Sequence, residues 1–190
     1  MLVKIAIGAA LFLVVLLAAV FVSFKLYRIP SAAMEPTLRC AEPNPGCSGE
    51  SSDRMLALRF LFRKEPDRGD IVAFRAPPQL RKVCGAGGAF MLPPGAAVIK
   101  RVIGLPGEVV TSRNGVISID GRRLDEPYLG TDRRSSDEGR WAVPEDAYFV
   151  LGDNRVASCD SRSWGFLPRE NLSSRAVFRY WPPSRIGPVD

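Results

Sequence analysis

Lys100 sits inside the apolar run Val98-Ile99-Lys100-Arg101-Val102-Ile103, in a chain that contains no histidine. In an extended strand Val98, Lys100 and Val102 share one face, and Ile99, Arg101 and Ile103 share the other. Burial among valines disfavours the ammonium and lowers its pKa, and a neutral amine can accept a proton from a hydroxyl. An edge-strand lysine that snorkels to water fits the same pattern, so the lysine alone does not define a site. The missing histidine excludes Ser-His-Asp and Cys-His catalysis and most catalytic zinc sites, leaving Lys, Asp, Glu, Tyr or Cys as the base.

Two further stretches have the residue types to work with such a base. Arg28 to Leu38, RIPSAAMEPTL, follows a long apolar segment and has the setting of a nucleophile. Leu151-Gly152-Asp153-Asn154-Arg155 leads into Ser158-Cys159-Asp160-Ser161-Arg162-Ser163-Trp164-Gly165, a dense polar cluster after the apolar Tyr148 to Leu151. There the Ser158 hydroxyl could hold the ammonium of a base in place. The structural alternative is an Asx-rich loop braced by an Asp160–Arg162 pair. Gly104-Leu105-Pro106-Gly107-Glu108 forms a rigid turn directly after the lysine run.

The elements that must position these residues are short. Residues 70–74, 98–103, 108–111, 116–119 and 148–151 are β-rich runs separated by turns, which predicts a mostly β, antiparallel domain. Asn114-Gly115 is a type I′ hairpin signal and Asp120-Gly121 offers a second tight turn. Residues 39–50, 79–97 and 130–140 read as surface excursions, and the tail 181–185 as a non-helical end. Cys40 and Cys47 bracket the first excursion closely enough for a local disulfide, subject to geometry. Cys84 and Cys159 are either a second bridge or simple thiols. The cysteine spacing matches no zinc ribbon.

Residues 5–24 are free of charge, and at 1.5 Å per residue they span about 30 Å, enough for a transmembrane helix. The run is longer than the apolar region of a cleaved signal peptide. It divides the chain into a short tail at 1–4, the membrane helix at 5–24 and one domain at 25–190. Lys4, Lys25 and Arg28 flank the helix on both sides and do not set its orientation. The net charge of +6 is dispersed rather than clustered, which argues for lipid headgroups nearby and against nucleic acid.

Three segments together resemble the type I signal peptidases, membrane-bound serine peptidases that remove signal peptides from exported proteins. They are IPSAAMEPTL (29–38), RGDIVAFRAP with VIKRVIGLPGE (68–77 and 98–108), and LGDNRVASCDSRSWGFLP (151–168). The resemblance implies an antiparallel β catalytic domain behind one N-terminal membrane anchor, and a Ser-Lys dyad whose base is Lys100. Ser31 then matches the hydroxyl that helps to form the oxyanion hole, and Ser158 the serine that orients the lysine. Asp160 and Arg162 match a supporting ion pair, with Asp153 and Arg155 as scaffold. Ile29, Met34, Leu38 and Ile99 match pocket-lining positions, and Tyr27 is a further candidate; for each, core packing is the alternative.

The family pattern I-P-S-x-S-M-x-P-T-L places the nucleophilic serine just before the methionine, where this chain has Ala33. Three explanations stay open: an introduced substitution that freezes an active enzyme, a natural relative that binds without cutting, and Ser31 as the attacking residue. The resemblance further implies preprotein substrates with small residues before the cut, of Ala-x-Ala type, paired as an extended strand near residues 98–100. A dedicated conjugation or pilus processing peptidase is the alternative within the class. No metal or cofactor is implied. The implied partners are signal peptides, the lipid bilayer and the translocation machinery. The implied place is the bacterial cell membrane, N-terminus in the cytoplasm and catalytic domain outside.

Overall fold

The computed structural model describes residues 2–60, 65–84, 95–130 and 135–189. Helix α1 (Leu2–Ser23) leads the chain. Leu11, Phe12 and Val22 on it are exposed. Counted over the described residues alone, no helix is long and apolar enough to cross a membrane. The helix ends at Ser23 because Phe24 already pairs with Leu58 as the first residue of a strand.

The strands are β1 (Phe24–Arg28), β2 (Arg54–Arg59), β3 (Ile71–Arg75), β4 (Ala97–Gly104), β5 (Val109–Arg113) and β6 (Val116–Ile119). They continue as β7 (Arg122–Arg123), β8 (Gly139–Ala142), β9 (Ala147–Leu151), β10 (Leu167–Pro168), β11 (Leu172–Trp181) and β12 (Gly187–Pro188). One sheet runs β1-β2-β11-β3-β4-β9-β10 with β12 added on β11, and a smaller one runs β7-β6-β5-β8. The strand pairings are antiparallel, as the alternating runs predict. At the β5–β6 hairpin Asn114 and Gly115 take φ of 49° and 74°, the left-handed pair that a type I′ turn requires.

Two expectations change. Within the excursion at 79–97, Pro78–Cys84 is a short helix, α2, with Leu80 buried beneath it, and β4 already starts at Ala97. Residues 85–94 of that excursion, and 131–134 of the one at 130–140, lie outside the described residues. The tail is not free of helix: Pro183–Arg185 is a 3₁₀ turn, with proline at its start where the absent N–H costs nothing.

The core explains where the site sits. One side of the main sheet buries Val72, Phe74, Val98, Val102, Val150 and Trp164 together, so the Lys100 side chain projects among these residues as the alternation requires. A second cluster joins Ile29, Met34 and Leu38 to Met55 and Ile71 beneath the segment after β1. The third, around Ile103, Val110 and Phe149, packs the two sheets together. β4 pairs with β3 along residues 97–101, but its partnership with β9 starts only at Arg101↔Leu151. One edge of residues 97–100 is therefore unpaired among the described strands.

Candidate active site

The segment after β1 is held by the Ile29 N–H, which donates to the Asp53 carbonyl at 2.9 Å. Pro30 and the extended Ser31 follow, and Ala32–Met34 form one 3₁₀ turn closed by Glu35 N–H on the Ala32 carbonyl. Ser31 stands at the N-cap position, yet its side chain makes no capping bond, which leaves the hydroxyl for other use. Ala32, Ala33 and Met34 are buried. Glu35, also buried, accepts from Ser48 N–H at 2.9 Å and Ser48 Oγ at 2.6 Å, tying this turn to the loop closed by the Cys40–Cys47 disulfide. Among the described residues, the one cluster with metal-ligand spacing is Glu35 with these two cysteines, whose sulfurs are taken by the bridge.

Ile29, Ser31, Ala33 and Met34 form one wall of a cleft, and Ile99 and Lys100 are on the other. Its empty volume, part of it open to solvent, is about 400 Å³. Leu38 is not on this surface: it is fully buried in the core cluster behind it, where its branched side chain packs with Met55 and Ile71. Tyr27 packs beside the same cluster and bonds the Ser174 hydroxyl at 3.0 Å.

Lys100 is only 1% exposed. Burial lowers its pKa to about 8, an effect that Asp160 and Asp153 partly oppose and Arg162 reinforces. A lysine of ordinary pKa near 10.4 is almost wholly protonated at neutral pH, whereas one near 8 is neutral in about a tenth of molecules at pH 7. That fraction is sufficient for a general base.

The loop after β9 surrounds the lysine with paired charges. Asp160 accepts from Gly152 N–H at 3.1 Å and from Arg162 Nε at 2.8 Å, and it caps helix α3 (Ser161–Trp164). Arg162 donates onward to the Arg155 carbonyl at 2.7 Å and pairs with Asp137. Asp153 receives a bidentate pair from Arg101 at 2.9 and 2.7 Å, and Arg155 is buried against Glu126. The ion pair expected at Asp160 and Arg162 is thus present, and Asp153 and Arg155 are each locked by a charged partner.

Ser158 Oγ is buried and has no hydrogen-bond partner among the described residues. It lies beside Gly152, where an added Cβ would collide with both Ser158 Oγ and the Ala33 carbonyl. Cys159, the next residue, is joined to Cys84 at the end of α2, with Cα atoms 6.1 Å apart. The second bridge is therefore formed, and it fixes the loop between Ser158 and Asp160.

Gly152 and Asn154 carry no sequence signal of a role at the site beyond their place in LGDNR. Asn154 donates its backbone N–H to the Ala33 carbonyl and Nδ2 to the Ala32 carbonyl, both at 3.1 Å. That motif, LGDNR, begins at the end of the apolar strand β9.

A neutralisable buried lysine facing a turn across a small apolar cleft is an arrangement suited to acyl transfer by a hydroxyl nucleophile. The profile of the family described as "Signal peptidase, peptidase S26" matches residues 2–181. A "Probable signal peptidase I-2" of Synechocystis is 40% identical over 160 residues, 84% of this chain and 64% of its own length. A "Signal peptidase I" of Leptolyngbya laminosa is 38% identical over 84% of this chain and 70% of its own. A thylakoidal processing peptidase of Arabidopsis thaliana is 37% identical over 83% of this chain and 42% of its own. A solved signal peptidase I from Enterococcus faecalis, 34% identical, covers 59% of this chain and 97% of its own with a TM-score of 0.45. The chain belongs to the S26 signal peptidase family.

Proposed function

We propose that this chain has the site of a membrane-anchored signal peptidase in which the attacking hydroxyl is missing, so that as written it does not cut. The observation that carries this reading is the cleft itself. Buried Lys100, with its pKa lowered to about 8, shares it with Ser31 and with Ala33, the family's nucleophile position.

With serine in place of Ala33, neutral Lys100 takes the hydroxyl proton as oxygen bonds to the scissile carbonyl carbon and the carbonyl electrons move to its oxygen. Ser31 Oγ and the N–H of residue 33 stabilise that oxyanion. The lysine ammonium then gives its proton to the leaving amine, and Lys100 next deprotonates the water that hydrolyses the acyl-enzyme. Ser158 is assigned the orienting of the lysine amine: its buried hydroxyl, beside Gly152, is not committed to another described group and is available to turn to that amine. No cofactor takes part.

The substrate is an extended preprotein segment added to the unpaired edge of residues 97–100. Apolar walls from Ile29, Met34 and Ile99 admit small side chains and exclude large ones, which favours Ala-x-Ala cut sites. The anchor is α1, 22 residues or about 33 Å long, with the catalytic domain outside the bacterial cell membrane. Exposed Leu26, Phe178 and Trp181 on the sheet that follows it suit a place at the bilayer surface, close to emerging signal peptides.

The test is the full-length Ala33→Ser protein incubated with several unrelated preproteins. Cleavage of several supports a general signal peptidase, and cleavage of one alone supports a dedicated processing enzyme. Inactivity in a folded sample rejects the frozen-enzyme reading in favour of a signal-peptide-binding relative. One observation favours a second reading: Ser31 lines the same cleft as Lys100, so its hydroxyl is the remaining candidate nucleophile.

A further inference from the structure

The peptide that joins residues 32 and 33 carries two groups on opposite sides, the Ala32 carbonyl and the Ala33 N–H. Because a trans peptide is planar, fixing the direction of the one fixes the other. Asn154 Nδ2 donates to the Ala32 carbonyl at 3.1 Å, across 122 residues of sequence. Its backbone N–H takes the next carbonyl, that of Ala33, also at 3.1 Å. A single residue thus grips the peptide planes on both sides of the reacting position. It is itself 1% exposed, and Gly152 lets the loop approach this closely because it has no side chain to intervene.

We propose that Asn154 is a positioning residue for the oxyanion hole. By drawing the Ala32 carbonyl toward the β9–α3 loop, it turns the residue 33 N–H to the opposite side, away from that loop. The Ala32 carbonyl also accepts from the Glu35 N–H at 3.0 Å, but that bond lies within the same 3₁₀ turn; the Asn154 side-chain amide ties this carbonyl, and with it the 32–33 peptide plane, to the β9–α3 loop. The inference deepens the peptidase reading of the same site and rests on it. It differs from a packing role because a donor that is misdirected weakens binding of the tetrahedral intermediate more than binding of the ground state.

The test uses the full-length chain in detergent with Ala33→Ser, alone and combined with Asn154→Ala or Asn154→Asp. The aspartate keeps the shape but replaces the donor by an acceptor. Both double variants lower kcat by about 100-fold, with KM within about threefold. A peptide aldehyde, whose adduct carries the oxyanion, loses affinity by a factor similar to the loss in kcat/KM. Equal losses for the aldehyde and for an uncleaved signal peptide overturn the inference, as does undiminished kcat.

A second readout does not depend on turnover. In the chain as written, the residual dipolar coupling of the Ala33 N–H changes in Asn154→Ala while those of β3 and β4 hold. An unchanged Ala33 coupling overturns the inference whether or not the Ala33→Ser protein is active. If that coupling changes but Ala33→Ser is inactive, the peptidase reading fails while the geometric role of Asn154 stands.

Discussion

Gly152 holds Ser158 Oγ and the Ala33 carbonyl on either side of a position where no side chain fits. The Gly152 N–H is also committed, to Asp160 at 3.1 Å, so the backbone there cannot easily yield. Adding one methyl group at Gly152 therefore pushes apart the nucleophile turn and the serine proposed to orient the base. Overpacking of this kind costs about 1–3 kcal/mol of stability. In the Ala33→Ser background, Gly152→Ala should lower kcat by about 100-fold or more, since small misplacements of reacting groups have effects of this size. Denaturant midpoints and initial rates on one sample separate the two effects; full activity in Gly152→Ala would show that the contact does not matter.

Lys100 makes a pH prediction with a definite sign. Its pKa falls from 10.5 in the unfolded chain to about 8 in the fold, with burial as the main cause. The proposed base works as the neutral amine, so kcat/KM of the Ala33→Ser protein should rise with pH and level off above an apparent pKa of about 8. Stability follows the same pair of values. Between about pH 8 and 10.5 the unfolded chain binds more protons than the folded one, so this group makes stability rise with pH across that window. Below it the folded state carries the full cost of the buried ammonium, on the order of 3 kcal/mol. Lys100→Met should abolish turnover, remove this part of the rise and be the more stable protein at pH 7. A fold weakened at pH 7, or a rate profile flat through pH 8, would contradict the assignment.

The two disulfides should differ in worth. Cys40–Cys47 closes a separation of 7 residues and Cys84–Cys159 one of 75. Chain-entropy reasoning gives about 2 kcal/mol for the first and about 4 kcal/mol for the second. The double exchange Cys84→Ser with Cys159→Ser should thus lower the unfolding midpoint more than the double exchange at Cys40 and Cys47. It should also reduce activity of the Ala33→Ser protein, because the bridge is anchored between Ser158 and Asp160. A larger stability loss from the shorter loop would reverse this ranking.

What was legible beforehand follows a physical division. Lys100 stood out because strand alternation is local and a lone lysine among valines breaks it, and the Asn114-Gly115 turn because positive φ has few residues that accept it. Helix α2 has the look of a loop in sequence because seven residues with only Leu80 buried give no helical period. Leu38 matches a pocket position in sequence because an apolar residue near a site looks the same there whether it faces the cleft or the core. Its burial against Met55 and Ile71 depends on strands far along the chain. Gly152 and Asn154 were missed for the same reason: their partners are Ala32 and Ala33, about 120 residues earlier, and no local pattern encodes that contact.

Ser31 provides the decisive comparison between the two readings of the hydroxyl. Its side chain is not spent on capping the 3₁₀ turn, and it lines the cleft with Lys100. As an oxyanion donor, its removal by Ser31→Ala from the Ala33→Ser protein should lower kcat by about 100-fold with little change in KM, the usual size for one such donor. As the nucleophile it would behave differently: the chain as written would cleave a preprotein, and Ser31→Ala would stop it completely. In that case Ala33→Ser would add little, whereas on the first reading it creates the activity. Rates for the chain as written and for Ala33→Ser, each with and without Ser31→Ala, separate the two, and Lys100→Met should silence either.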